Sequence, residues 1–583
     1  MKRLREVDAV IVGGGWTGLL MAKELATRTP LSIVVLERGA PRKAREYVDG
    51  MDELDYGIRF KMMQDVTQET VTLRHSLRDR ALPIRQHGSF LPGAGVGGSG
   101  EHWSGISYRF LPDVFELHSR TVEKYGAKRL PEGHSIQDWG IGYKELEPFY
   151  TRAEKMMGIS GKAGNLNGRR IDGGNIFEGP RSEEYPTPPM KIPYLAAMFR
   201  DATKRLGYHP YPLPAATTSV AYTNPDGISR AGCAYCGYCE RFGCMIGAKA
   251  QPTNTLLPIL NGRRNFELRS GCWVRSIQTS GQTATGVTYV DDHGEEVFQP
   301  AGMVFLAAWT FNNTRLLLLS DIGKAYDAST DEGSVGRNLT HQVSIPAAMA
   351  FFKNPLNRFI GAGAAGVAMN DFDGDVFDHS ELDFVRGGHI LTVCYGFRPM
   401  LNFGLTPPSV KATWGSEWKK AALEWYDRIG RIGFVGEHVA YRENHLDLDP
   451  TYKDRFGDPL LRMTIDWRDN ERRMAAFMTG KAVEIAKEMS AVEIIPFPGF
   501  RHYDATRYQS THIQGGAIMS VDPTRSVVNN YQQHRQAPNL FVIGASSFPQ
   551  NASGNPTLTA LALTYRTADA VIDRFVKKPG FLA

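Results

Sequence analysis

The apolar positions of this chain fall into short, separately punctuated runs. At the amino terminus VDAVIV, an apolar run after a polar entry, passes through spaced glycines into WTGLLMAKELA, whose apolar residues step at helical spacing. Strand, glycine turn and amphipathic helix stand in the order a dinucleotide-binding unit needs. LSIVVLERG predicts a second strand ending at Glu37. Downstream, VSIPAAMAFF and PLLRMTIDW read as strands of an antiparallel sheet accompanied by helices. MVFLAAW and LTALALTY are the best candidates for a membrane span, yet both fall well short of the ~18 residues one requires and read as core elements. EGPRSEEYPTPPMKIPY is a surface connection, and no internal repeat is visible.

Composition narrows this picture. A chain of 583 residues, 42% of them hydrophobic, predicts a large globular protein of two or more domains. A net charge of +5 from 67 basic and 62 acidic residues is a mild imbalance without the clustered basic face that nucleic acid demands, which excludes a nucleic-acid partner. MKRLREVDAV enters its strand with no apolar stretch before it, so no secretory signal is expected on this chain.

The glycines have separable tasks. Gly13 allows the tight turn, Gly15 lets the backbone approach a pyrophosphate at the helix amino terminus, and Gly18 permits close helix packing. Glu37 is placed to hydrogen-bond a ribose hydroxyl; its bland alternative is a solvated strand end. GAGVGGSGEHW supplies a second phosphate-friendly loop in Gly93, Gly95, Gly97 and Gly98, which a simple nicotinamide domain does not need and which points to FAD.

Four of the six cysteines, Cys233, Cys236, Cys239 and Cys244, crowd into CAYCGYCERFGC. Disulfides between residues three apart strain the bridge, and a chain this long buries a core without staples. A redox-active CxxC pair explains less of the run. Structural zinc more often draws on two separated pairs, whereas thiolates at two-to-four-residue intervals in one loop suit an iron–sulfur cluster. The spacing C-x2-C-x2-C-x4-C leaves the cluster type open: three thiolates would hold a 3Fe-4S cluster, the favoured form, with Cys239 a candidate spare thiol, and all four a 4Fe-4S cluster. Cys272 and Cys394 are isolated and read as inert buried thiols.

With these motifs in view, the chain resembles the glucose-methanol-choline (GMC) oxidoreductases, and the likeness continues through RLLLLSDIG, VGRNLTHQ and NLFVIGASSFPQNASGNPTLTALAL over nearly its whole length. IGYKELEPFYTRAEKMMGISG, CGYCERFGCMIGAKA and THIQGGAIMS are most similar to flavoprotein subunits of bacterial sugar and sugar-acid dehydrogenases, the gluconate 2-dehydrogenase group first and the fructose and sorbitol dehydrogenases further off. The resemblance implies an α/β chain (α+β overall), a Rossmann-like FAD-binding domain with a discontinuous antiparallel-sheet substrate domain. Residues 1–115, 200–345 and 500–583 would form the first, carrying the iron–sulfur loop 230–255, and 115–200 with 345–500 the second.

The same resemblance implies the site. His512 stands where relatives place a catalytic histidine and would accept the hydroxyl proton of an alcohol. Asn555, where many relatives have a second histidine, would touch the substrate oxygen; it equally suits a helix N-cap followed by Pro556. His102 matches the position from which some members attach the flavin covalently, the alternatives being a hydrogen bond to it or packing against Trp103. Gly544, where the superfamily often has aspartate, receives no role. The implied reaction oxidises a secondary alcohol of a sugar or sugar acid, D-gluconate to 2-keto-gluconate in the first instance. Electrons would leave FAD through the cluster to a cytochrome c subunit, and a small export-signal-bearing subunit would carry the protein to the periplasmic face of the inner membrane, a cytoplasmic enzyme being the other placement. Rival readings are a fructose, sorbitol or 2-ketogluconate dehydrogenase, a glycoside 3-dehydrogenase, a flavin oxidase, or a zinc-stabilised subunit without substrate chemistry. Gluconate requires a cationic partner, for which Arg109, Arg386 and Arg398 are candidates.

Overall fold

The computed structural model describes residues 1–42, 52–88, 90–358, 361–394, 400, 403–497, 499, 501–507 and 510–582, the side chains of Ile345 and Pro346 excepted. The opening apolar run forms the strand Val7–Val12, with Ile33–Leu36 parallel to it on one side and Glu296–Leu306 on the other. Phe266–Arg269 extends the sheet beyond Ile33–Leu36, also in parallel. The long strand Glu296–Leu306 does two jobs. Its first half closes an antiparallel meander with Thr283–Val290 and Trp273–Ser280, while its last residues pair in parallel with Leu540–Val542. A strand buried on both faces is uniformly apolar, which is why VDAVIV and MVFLAAW show no alternation.

Helix Trp16–Arg28 leaves the first strand through Gly15 and buries Leu19, Leu20, Met21 and Leu25 completely, each worth about 1.5–3 kcal/mol of transfer free energy. It packs against the closing helix Thr557–Ala570, which packs in turn against Tyr143–Met157. Trp139, Leu146 and Tyr150 therefore share one core with Val10 and Leu19, although they lie in the stretch 115–200 expected on the substrate side; Leu195 and Phe199 of the same stretch belong to the second core.

That second core lies under a six-stranded sheet ordered Glu493–Pro496, Val343–Phe351, Ile429–Gly436, Gly388–Val393, Gly366–Met369 and Tyr211–Pro212, antiparallel throughout. Helices Asp469–Glu488 and Tyr194–Arg205 pack on it. VSIPAAMAFF thus occupies the sheet proposed for it. PLLRMTIDW forms Pro459–Thr464 in a separate four-stranded sheet with His445–Lys453, Thr72–Arg74 and Leu82–Pro83. Among the described residues no helix is long and apolar enough to cross a membrane.

Candidate active site

A cavity of about 670 Å³ is lined from both sheets: Val12, Leu36 and Ala307 come from the first, and His389, Leu391, Val393, Gly433 and Val435 from the second. The alternation of His389, Leu391 and Val393 follows from the two-residue period of strands, which turns every second side chain to one face. Gly13, Gly15, Glu37, Gly97, Gly98, His102, His512 and Asn555 line this same cavity. Gly93 of the second glycine loop lines it too, so the structure gathers nine of the residues given a cofactor or chemical role from sequence. Gly18 and Gly95 stand behind the wall.

Backbone geometry explains the glycines. A Cβ on Gly18 would stand 2.0 Å from the Gly13 carbonyl oxygen, and one on Gly13, at φ 108°, 2.5 Å from that of Ala307. Gly15 differs: the nearest atom to its virtual Cβ is the Gly97 oxygen at 4.0 Å, so its missing side chain leaves room at the start of a helix, where backbone N–H groups favour an anion. Glu37 is buried; its Oε2 accepts from the Gly14 N–H at 2.9 Å and its Oε1 from that of Gly39 at 2.8 Å, holding the turn while facing the cavity.

His102 is buried, and its Nε2 has no hydrogen-bond partner among the described residues. Burial, with Lys249 nearby, pushes its imidazole down to about 3, so it stays neutral. An orphaned buried nitrogen, an open glycine step and a carboxylate at the strand end together fit a bound dinucleotide.

His512 and Asn555 meet directly: the Asn555 amide donates to His512 Nε2 at 3.2 Å. On the other side of the ring His512 Nδ1 bonds the Gln342 side-chain oxygen, and the His512 N–H donates to Ser510 Oγ at 3.3 Å. Enclosure by protein pushes His512 down to about 3, with His341 and His389 adding in the same direction. Asn555 does not cap its helix; Pro556 takes the cap position without a side-chain bond, and the helix runs Thr557–Ala570. The N-cap alternative is thereby corrected: the amide is turned to His512 instead. His389, on strand Gly388–Val393 of the six-stranded sheet, lines the cavity with its Nε2 unpartnered among the described residues. Gln342 and His389 were missed in the sequence, since a lone Gln or His carries no spacing. The motif VGRNLTHQ did end on Gln342.

Two expected cations are corrected. Arg109 is buried against Glu154, with further bonds to Glu147 and Thr151, and Arg386 is buried between Glu437 and Asp113. Each is consumed by structural carboxylates and neither lines the cavity. Arg398 lies outside the described residues. Arg241 and Arg431 do line it.

The cysteine loop lies against this site. The Arg241 N–H donates to the His102 carbonyl at 2.7 Å, and the buried Lys249 ammonium donates to the carbonyls of Trp103, Cys239 and Phe242. Cys233 Sγ accepts from the Tyr235 N–H at 3.3 Å and Cys244 Sγ from that of Lys249 at 3.5 Å. Burial raises the Cys233 thiol to about 12 and raises that of Cys239 as well. All four are free thiols, and among the described residues no group of three or more His, Cys, Asp or Glu converges to hold a metal ion. The side chains as placed do not form the expected iron–sulfur site.

A dinucleotide fold joined to an antiparallel sheet, with a neutral histidine and an amide in the cavity between them, is the arrangement of a flavin-dependent oxidoreductase of alcohols. Residues 196–344 and 440–564 match the GMC oxidoreductase family, and the chain belongs to that family. It is 46% identical to the gluconate 2-dehydrogenase flavoprotein of Pantoea cypripedii, over 99% of this chain and 95% of that one. The fructose dehydrogenase large subunit of Gluconobacter japonicus is 28% identical over 97% and 98% of the two chains. Among solved structures, pyridoxine 4-oxidase from Mesorbium loti superposes with a TM-score of 0.60 at 17% identity, covering 96% of this chain and 98% of that one, a likeness of fold. The chain is thus an FAD-dependent dehydrogenase acting on CH–OH donors.

Proposed function

We propose that this enzyme oxidises a secondary alcohol of a sugar acid, D-gluconate to 2-keto-gluconate, and passes the electrons to a one-electron acceptor. The observation that carries the reading is the His512–Asn555 pair in a cavity shared with the dinucleotide loops, in a chain 46% identical to a gluconate 2-dehydrogenase flavoprotein. Gly13, Gly15, Glu37, Gly97 and Gly98 would hold the FAD, with His102 as its covalent or hydrogen-bonding partner. Bound FAD supplies the hydride acceptor. His512 is neutral, and its Nε2 lone pair, held by the Asn555 amide, is the acceptor for the substrate hydroxyl proton. Asn555 would steady the substrate oxygen, His389 offers a further polar contact for a polyol, and Arg241 and Arg431 offer positive charge to a carboxylate. Residues 1–115, 200–345 and 500–583 would carry the cofactor, and 115–200 with 345–500 the substrate.

The cysteine spacing and the N–H bonds onto its sulfurs support an iron–sulfur cluster at 233–244, for which the side chains would have to turn to a common centre. Iron and acid-labile sulfide analysis of anaerobically purified protein decides between that cluster and bare thiols. A cytochrome c subunit and a small export-signal-bearing subunit, holding the enzyme at the periplasmic face, complete the proposal; co-purification and cell fractionation test it. The central experiment is anaerobic flavin bleaching by gluconate, 2-ketogluconate, fructose, sorbitol and glucosides. Gluconate should bleach fastest, and bleaching only by neutral sugars would sink the sugar-acid reading. Yellow colour remaining with acid-precipitated protein would support a covalent His102 link, and colour in the supernatant would exclude it.

A further inference from the structure

We infer that Gln342 is the positioning residue of the site: it fixes the tautomer of His512 and, through the same amide, the backbone that presents Asn555. The inference rests on the reading of His512 as proton acceptor. Gln342 is fully buried, immediately after the short strand Thr340–His341 and before Val343–Phe351. Its amide nitrogen donates to three successive carbonyls, Ala552 O at 2.5 Å, Ser553 O at 2.9 Å and Gly554 O at 2.8 Å. Three oxygens around one end of the amide leave it a single orientation, because a flipped group would set its own oxygen against all three. The oxygen end therefore faces His512 Nδ1, which is hydrogen-bonded to it.

An amide oxygen only accepts, so His512 Nδ1 carries the imidazole proton. In a neutral ring the other nitrogen is then bare, and Nε2 is the atom that meets Asn555. The other tautomer would put an N–H against the Asn555 amide donors and could not accept a proton from an alcohol. Asn555 directly follows the three carbonyls that Gln342 gathers. Ser553 Oγ also donates to Asp373 Oδ2 at 2.6 Å, so this loop is held from two sides, but Gln342 alone of these groups touches both the loop and the histidine.

The test uses flavin-loaded enzyme with 15N-labelled histidine, the His512 resonances being assigned by their loss in His512→Asn. Without any substrate, the wild type should show a protonated Nδ1 and an unprotonated Nε2 at neutral pH. Gln342→Met, which removes acceptor and donors together, should show an Nε2–H signal. Its flavin-reduction rate constant should fall about 10- to 100-fold with KM changed by less than about threefold. Gln342→Glu keeps one oxygen for Nδ1–H but sets the other against the three loop carbonyls: it should retain the wild-type tautomer, recover only part of the rate, and move the acid limb of the rate profile to higher pH, since a carboxylate favours the imidazolium. Flavin content confirms that each variant is folded; if Gln342→Met fails to load, Gln342→Glu decides by its acid limb. An unchanged tautomer and rate in Gln342→Met, or an unmoved limb in Gln342→Glu, overturns the inference. Failure of gluconate to bleach the wild type would refute the substrate and leave the tautomer measurement standing.

Discussion

The glycine loops and the cysteine loop press on the same cavity and were equally conspicuous as motifs, yet they finish differently. At Gly13, Gly15, Gly97 and Gly98 the proposed binding groups are backbone, placed by the fold itself once the strand and helix have packed. At Cys233, Cys236, Cys239 and Cys244 the proposed ligands are side-chain sulfurs, whose convergence would need rotamers that apolar packing does not specify. His512 and Asn555 form a third case. Their side chains converge because other side chains, Gln342 first, hold them. A site is preformed to the extent that its groups are backbone or are hydrogen-bonded by something buried.

The largest effect is expected from breaking the prepared backbone. Gly18→Val would drive a branched side chain into the Gly13 carbonyl, which sits 2.0 Å from even a Cβ, and should yield no flavin-loaded enzyme. Gly15→Ala has room, so it should melt within about 1 kcal/mol of wild-type apo-protein while losing at least about tenfold in FAD affinity. Calorimetry and flavin titration separate the two, and equal losses of stability would erase the distinction between packing and cofactor glycines.

Next comes the held pair. His512→Gln removes the proton acceptor but can still hydrogen-bond, and stopped-flow flavin reduction should slow by about 10²- to 10⁴-fold. Asn555→Ala, which leaves His512 Nε2 bare, should cost less. A His512 variant that reduces its flavin at the wild-type rate would remove the base from the site. For the cysteine loop the expected signature is a split: Cys236→Ser should leave flavin reduction within about threefold, since its side chain lies outside the cavity, and slow turnover with a one-electron acceptor by at least about tenfold if iron is bound. Equal acceptor turnover in the variant would reduce the cysteines to packing.

The same physical distinction decides what could be read from sequence. Gly13, Gly15 and Glu37 were legible because a tight turn and a strand end recur at fixed spacing. His512, Asn555 and His102 were legible only through resemblance, since nothing in their local spacing separates them from the other histidines and asparagines. Gln342, between two strands, and His389, on one, reach the cavity from more than a hundred residues away from His512, a proximity that only the tertiary fold creates. Arg109 and Arg386 failed as substrate cations for the converse reason: their carboxylate partners Glu154 and Glu437 are found by folding, not by spacing. The sheet order and the Tyr143–Met157 helix crossing to the first core are likewise tertiary facts.

A test of the two regions together is the pH dependence of stability. His102, His389 and His512 at the cavity are each held down to about 3, His438 to about 3, and His341, His379 and His534 to about 4, all chiefly by burial. In the unfolded chain these groups titrate near ~6.5, so as pH falls from there toward 4 the unfolded state takes up protons that the native state refuses, and stability falls. Buried acids act in the opposite sense. Asp373 is raised to about 8 by burial and by Glu437, and Glu178 and Glu471 to about 7, so the native state keeps protons that the unfolded chain has shed, and stability declines as pH rises through those values. The histidines outnumber these acids in the overlapping window, which puts the maximum near pH ~6.5, with a steep acid side and a shallow alkaline one. Melting midpoints across the range should show this shape. His389→Asn should soften the acid side, and Asp373→Asn, which keeps a polar group beside Ser553, should soften the alkaline side. A midpoint that rose toward pH 5 would count against the burial-lowered histidines as a group.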